Sequence, residues 1–267
     1  MTGRLHRMLV AVPLLLTAVV TPVAVGGSPG QDGDDDLVAE GRELYLTGCA
    51  SCHGPDGEGL DTPDDGVRGP SLVESGEAGA YYYLSTGRMP LADSDDEPVR
   101  KPPAYSDEEI AALVAFVASL DDGPELPDVD VEDGDLAAGG VLFRANCQAC
   151  HSASGSGGAL SYGGAAPRLS EATPTQVGAA VRIGPGQMPV FGPEIIDDRD
   201  LNDLARYVEN LKDPADPGGI PIGRTGPIPE GFVAWLIGMT ALLALVAWIG
   251  TRSPLRRHPQ VPRAGHE

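Results

Sequence analysis

Two pentapeptides, Cys49-Ala-Ser-Cys52-His53 and Cys147-Gln-Ala-Cys150-His151, contain all four cysteines of the 267-residue chain. The Cys-x-x-Cys-His spacing is the attachment signal for c-type haem. Both thiols become thioethers to the macrocycle, and the adjacent histidine becomes the proximal iron ligand. Cys49, Cys52, Cys147 and Cys150 are therefore predicted to hold two haem c groups covalently. No cysteine remains for a disulfide, a free thiol or a cysteine-based zinc site.

The rest of the ligand set follows from a census. The five histidines are His6, His53, His151, His258 and His266, and only His53 and His151 lie between the two hydrophobic ends. The five methionines are Met1, Met8, Met89, Met188 and Met239, of which only Met89 and Met188 lie in that middle region. Each middle histidine already belongs to a motif, so histidine–histidine ligation is excluded. Methionine is the natural sixth ligand: His53 with Met89 and His151 with Met188 are the expected axial iron ligands. Met89 lies 37 residues past Cys52 and Met188 lies 38 past Cys150, each followed by proline. Met often fills core gaps, but two isolated methionines recurring at one repeat position favour ligation. Lys101 and Lys212 are conceivable substitutes without equivalent positions. Thioether ligation raises the reduction potential; with both axial positions filled by protein, one-electron transfer is favoured over oxygen binding.

Further candidates surround the ligands. The free ring N–H of each histidine needs an acceptor, and the carbonyls of Pro70 and Pro167, 18 and 17 residues past the second cysteine, are candidates. Arg88 and Arg182 are candidates to pair with haem propionates, and one of Tyr81, Tyr82 and Tyr83 to line a haem pocket. Both usable histidines are taken and no Gly-rich phosphate loop precedes a clear helix, so no hydrolytic site and no independent catalytic site are expected.

The elements that must position these residues form an internal repeat. Cys49 and Cys147 are 98 residues apart, Met89 and Met188 are 99 apart. Gly41 and Gly139 each stand eight residues before the first motif cysteine, and Tyr45 and Phe143 each stand four before it. Helices are predicted over Leu37–Leu46 and Asp135–Ala145, leading into the motifs. Each half closes on an amphipathic helix. The first is Ser106–Leu120, opened by a Ser106/Glu109 capping box. The second runs from about Asp198 to Leu211, capped by Asp197 or Asp198. The intervening segments are Gly- and Pro-rich, with few strands suggested, so the fold class is all-α. The predicted organisation is 1–26 signal peptide or N-terminal anchor, 27–36 linker, 37–120 first domain, 121–134 acidic linker, 135–212 second domain, 213–230 Pro/Gly linker, 231–250 transmembrane helix and 251–267 basic tail. The acidic linker, with eight acids across Asp121–Asp135 together with Pro124 and Pro127, reads as a stiffened, self-repelling hinge.

Charge and hydropathy set the topology. The net charge is −21, concentrated in the middle of the chain. An acidic face steers a basic partner, and phosphate repulsion disfavours nucleic acid. Gly231–Gly250 is twenty residues without a charge, long enough to span a bilayer, with Trp235 and Trp248 near its ends. Arg252, Arg256 and Arg257 follow at once and predict a cytoplasmic C-terminus. Arg4 and Arg7 precede the apolar Met8–Val25, and Ala24-Val25-Gly26 offers a small-residue cleavage site. Residues 27–230 are thus expected outside the cytoplasmic membrane.

The order Gly41/Tyr45, Cys49-x-x-Cys52-His53, Pro70, Met89-Pro90, closing helix resembles a class I cytochrome c domain. The second half repeats it with Gly139/Phe143, Cys147-x-x-Cys150-His151, Pro167 and Met188-Pro189, and the resemblance covers about 37–212. The layout of two tandem class I cytochrome c domains and a C-terminal transmembrane helix resembles the dihaem cytochrome c subunit of the actinobacterial cytochrome bc1 complex. That resemblance implies association with cytochrome b and Rieske iron–sulfur subunits in a menaquinol–cytochrome c reductase. It also implies electron flow from the Rieske protein through both haems to an aa3-type cytochrome c oxidase. The competing reading is a membrane-tethered dihaem electron-transfer protein serving another oxidase, such as a cbb3 type, or a periplasmic dehydrogenase. A dihaem peroxidase needs an open iron site, against which Met89 and Met188 argue.

Overall fold

The computed structural model describes residues 31–62, 66–214 and 227–252. The predicted signal or anchor segment, 1–26, and the tail beyond Arg252 lie outside the described residues. Helices dominate. They are α1 (Gln31–Gly48), α2 (Ala50–His53), α3 (Gly76–Ser85), α4 (Asp107–Ala118), α5 (Leu136–Asn146), α6 (Gln148–His151), α7 (Pro174–Ile183), α8 (Asp198–Lys212) and α9 (Pro227–Arg252). Two short antiparallel hairpins interrupt them, β1 (Leu60–Thr62) with β2 (Gly66–Gly69) and β3 (Gly158–Ala159) with β4 (Ala165–Ala166).

In each half the helix entering the motif packs on the closing helix, α1 on α4 and α5 on α8. Glycine permits the close approach. A Cβ on Gly41 would overlap the carbonyl oxygen of Ala112, and one on Gly139 would overlap that of Asp203. Four residues on, one helical turn later, the buried Tyr45 stacks on Phe116 at 4.8 Å, and the buried Phe143 on Tyr207 at 5.3 Å. Around these crossings lie two apolar cores. Tyr45, Leu84, Ile110, Leu113 and Phe116 form the first, and Phe143, Val181, Leu201, Leu204 and Val208 the second.

The helix starts follow their caps. Ser106 and Glu109 make both bonds of the predicted capping box, and Asp197 accepts from the Asp200 N–H. Asp135 accepts from the N–H groups of Ala137 and Ala138 at 2.8 Å, so α5 begins one residue later than expected. At the first domain the boundary differs more: α1 begins at Gln31, six residues ahead of the expected Leu37. Asp34, in its first turn, sits where the helix dipole favours a carboxylate. α7 was not foreseen as an element, and it packs on α3, its repeat equivalent.

The acidic linker also differs from expectation. It is tied down along its length and is no hinge. The Pro124 carbonyl accepts from Ala78 N–H at 3.0 Å, Leu126 N–H donates to Glu77 at 3.1 Å, and Asp130 N–H donates to Asn202 at 3.0 Å. The Val131 carbonyl accepts from Arg206 at 2.9 Å. Leu126 and Val129 meanwhile pack on the apolar clusters. The backbone groups and apolar side chains find partners while the acids face water, which offsets their mutual repulsion.

α9 is an apolar helix of 26 residues, and most of its side chains from Ile228 on are exposed. At 1.5 Å per residue it reaches about 39 Å, more than the roughly 30 Å hydrocarbon core of a bilayer. Its Thr240 hydroxyl donates to the Leu236 carbonyl at 2.7 Å, so no polar group on that turn is left bare. Arg252 lies over the Trp248 ring at 4.2 Å, at the end of the span.

Candidate haem-attachment sites

Each motif occupies a one-turn helix, α2 or α6, joined to the preceding long helix. Cys49 N–H donates to the Tyr45 carbonyl at 2.8 Å and Cys147 N–H to that of Phe143 at 2.8 Å. The aromatic residue four before each motif therefore fixes the first cysteine as well as the core. After the histidine the chain turns sharply in left-handed backbone, through Gly54 at φ 80° and Ser152 at φ 62°. Glycine takes that conformation without cost. Ser152 takes it with its Oγ accepting from the Ser156 N–H at 3.2 Å.

The turn aims each imidazole at the predicted acceptor. His53 Nδ1 lies 2.7 Å from the Pro70 carbonyl oxygen, and His151 Nδ1 lies 3.0 Å from that of Pro167. A carbonyl only accepts, so Nδ1 carries the proton and Nε2 keeps its lone pair. The two sites are not equally enclosed: His53 is buried, whereas His151 is half-buried and Cys150 is exposed. Burial pushes the Cys49 thiol up to about 11, with Cys52 adding to the shift. Cys147 rises to about 11 for the same reason, with Cys150 adding. Neutral sulfur in such surroundings suits an uncharged thioether.

The methionines return to the same cores. Met89 and Cys49 both pack on the first apolar cluster, and Met188 and Cys147 both pack on the second. Each methionine loop leaves the end of a helix. Met89 N–H donates to the Tyr83 carbonyl of α3 at 3.1 Å, and the Met89–Pro90 peptide is cis. Beyond Met188, Phe191 N–H donates to the Val181 carbonyl of α7 at 2.9 Å. Lys212 is paired with Glu209, and Lys101 Nζ rests 3.5 Å from the Pro90 carbonyl.

The two arginines part company. Arg182 is buried, and its guanidinium donates to the carbonyls of Phe191 at 3.1 Å and Ile196 at 2.6 Å and to Asp198 at 2.8 Å. Three hydrogen bonds to the protein commit it to holding the Met188 loop against α8. Arg88 lies over the Tyr82 ring at 4.9 Å, and its Nη1 is a buried donor with no partner. An unpaired buried donor is costly, and a carboxylate such as a propionate would satisfy it. Among the described residues no three His, Cys, Asp or Glu side chains converge on a bare metal ion. The paired cysteines and the Nδ1-anchored histidines fit a haem c at each motif, and the orphan Arg88 donor adds to the fit at the first.

Sequence reasoning passed over Gln176, which is buried in α7 and hydrogen-bonded to Ser85 and Arg100 of the other half. The signal was present: Thr173-Pro174-Thr175-Gln176 is a capping box with proline at the first helical position.

Comparison with known proteins agrees with this geometry. Residues 38–121 match the family described as cytochrome c, and residues 134–208 match that described as cytochrome C oxidase, cbb3-type, subunit III. Over nearly the whole length the chain is similar to proteins named cytochrome bc1 complex cytochrome c subunit. The relative in Mycobacterium tuberculosis is 39% identical, covering 89% of this chain and 86% of its own. That in Mycobacterium leprae is 38% identical, covering 89% and 83%, and that in Corynebacterium efficiens 35%, covering 90% and 84%. With two cytochrome c domains, each built around a Cys-x-x-Cys-His helix, and this similarity along the chain, the protein belongs to the cytochrome bc1 complex cytochrome c subunit family.

Proposed function

We propose that this chain is the dihaem electron-transfer subunit of a menaquinol–cytochrome c reductase, taking electrons from a Rieske iron–sulfur protein and passing them to an aa3-type cytochrome c oxidase. The observation that carries the reading is the duplicated arrangement of a histidine held through Nδ1 by a proline carbonyl and a methionine brought to the same core. In this reading Cys49 and Cys52 hold one haem c and Cys147 and Cys150 the other. His53 with Met89, and His151 with Met188, would ligate the two irons. Haem iron ligated in this way supplies reversible one-electron chemistry at a raised potential.

The chain's own residues do the rest. Pro70 and Pro167 fix the tautomer and plane of each imidazole. Arg182 and the end of α7 hold the Met188 loop, and the end of α3 holds the Met89 loop. α9 anchors the haem domains to a membrane, with the basic residues after it on the cytoplasmic side.

The match of 134–208 to an oxidase-type cytochrome supports one alternative, a tethered dihaem carrier that serves another oxidase. One experiment separates them. The tagged full chain is purified in mild detergent, its companions are identified, and quinol-dependent oxygen uptake is assayed. Co-purified cytochrome b, Rieske and oxidase subunits with activity are expected. A dihaem protein that comes alone and inactive from several detergents supports the tethered carrier.

A further inference from the structure

The two halves meet through α3 and α7. At their crossing Ala78 and Ala179 are fully buried beside Tyr82, with Tyr81, Tyr83, Ala180 and Ile183 around them. Small side chains let the helices approach, but this apolar contact is small. One polar bridge accompanies it. Gln176, 6% exposed, fills all four hydrogen-bonding positions of its amide. Oε1 accepts from Arg100 Nη2 at 2.8 Å and from Thr173 N–H at 3.3 Å. Nε2 donates to the Ser85 carbonyl at 3.2 Å and contacts the Ser85 hydroxyl at 3.2 Å. The orientation of the amide is forced, because Arg100 only donates and the Ser85 carbonyl only accepts.

Position gives this bridge its consequence. Ser85 is the last residue of α3, four before Met89, and Lys101, next to Arg100, donates its N–H to the Thr86 carbonyl at 3.2 Å. Gln176 thus grips the turn that launches the Met89 loop, from both sides. It does so from α7, the helix whose far end launches the Met188 loop. The methionine loops of the two domains are therefore referred to one pair of packed helices, locked by one amide.

We propose that Gln176, acting through Arg100 and Ser85, is a positioning residue that holds the two domains in one arrangement and so sets electron exchange between the two haem groups. The proposal rests on the dihaem reading above. Gln176→Leu keeps the volume and removes the bridge, leaving the half-buried Arg100 guanidinium and a helix-end carbonyl without this partner. Loss of one charge-assisted hydrogen bond corresponds to about a tenfold rise in the separated arrangement relative to the locked one.

The test uses the full haem-loaded chain in detergent. Haem content and the two midpoint potentials are measured first, then the haem-to-haem distance distribution by pulsed dipolar EPR and the inter-haem exchange rate after flash reduction. Gln176→Leu is expected to bind two haems at near-native potentials, broaden the distribution toward longer distances and slow exchange. Arg100→Leu, which spares the α7 capping box, is expected to do the same, and provides the test should Gln176→Leu misfold. Ser85→Ala, which keeps the backbone carbonyl, is expected to change little. A distribution and rate superimposable on the native chain in both Gln176→Leu and Arg100→Leu overturns the proposal. A native chain without two haems overturns the dihaem reading itself, and shows at the first step.

Discussion

The Nδ1 atom of His53 lies 2.7 Å from the carbonyl oxygen of Pro70, a residue whose ring fixes the backbone that presents that oxygen. His151 and Pro167 repeat the relationship at 3.0 Å in a more open setting. A hydrogen bond to Nδ1–H makes the other nitrogen a stronger donor, which favours ferric iron. Pro70→Ala is expected to loosen the bond and raise the first haem's potential by less than about 59 mV, the one-electron equivalent of tenfold. Redox titration of both haems checks the direction and that the second is unmoved.

Loss of methionine ligation has the opposite sign. Met89→Ala and Met188→Ala should each open one iron and lower that haem's potential by more than about 59 mV. Each should remove one of two sulfur-to-iron charge-transfer contributions from the ferric spectrum. If neither substitution changes the spectrum or the potentials, the methionines are core residues only.

The helix crossings give a stability test. Gly41→Ala and Gly139→Ala place a methyl against a backbone carbonyl and should cost about 1–3 kcal/mol or more in the domain concerned. Gly33, early in α1, has nothing within 4 Å of an added Cβ, so Gly33→Ala should instead stabilise by about 0.5–1 kcal/mol. Denaturant unfolding followed at the haem bands of each domain reads the difference.

Much of this was legible in the sequence because it was local or periodic. Ser106/Glu109 and Asp197 announce helix starts by chemistry confined to one turn. The offsets of Gly41, Tyr45, Met89 and their partners expose the repeat, and the ring N–H of each motif histidine, in need of an acceptor, pointed to Pro70 and Pro167. The failures are tertiary. α3 and α7 are short, and Gly76, Ala78 and Gly79, like Gly178 and Ala179, dilute the few large apolar residues on their buried faces. The acidic linker is ordered by bonds to Asn202, Glu77 and Arg206, residues up to 75 positions away. Arg182 looks like an anion ligand by type, and its partners, the Asp198 carboxylate and the carbonyls of Phe191 and Ile196, are visible only once the Met188 loop has folded over it.

Tyr45 supplies a pH dependence. Burial pushes its phenol from 10 to about 12. A group whose folded value lies above its unfolded one contributes fully below the unfolded value. The first domain should therefore be at full strength below pH 10 and lose stability as pH rises from 10 to 12. Tyr45→Phe removes the hydroxyl's 2.7 Å bond to the Gly54 carbonyl, costing about 1 kcal/mol near neutrality, and should flatten the alkaline loss. Far-UV circular dichroism melts across that window give both numbers.

The central claim is that the two motifs each hold one haem c in the same chain. Intact-mass measurement of the detergent-purified protein tests it most directly, with Cys49→Ala/Cys52→Ala and Cys147→Ala/Cys150→Ala variants alongside. The account predicts two haem masses on the native chain and one on each variant. One haem or none on the native chain, or two retained on either variant, would contradict it.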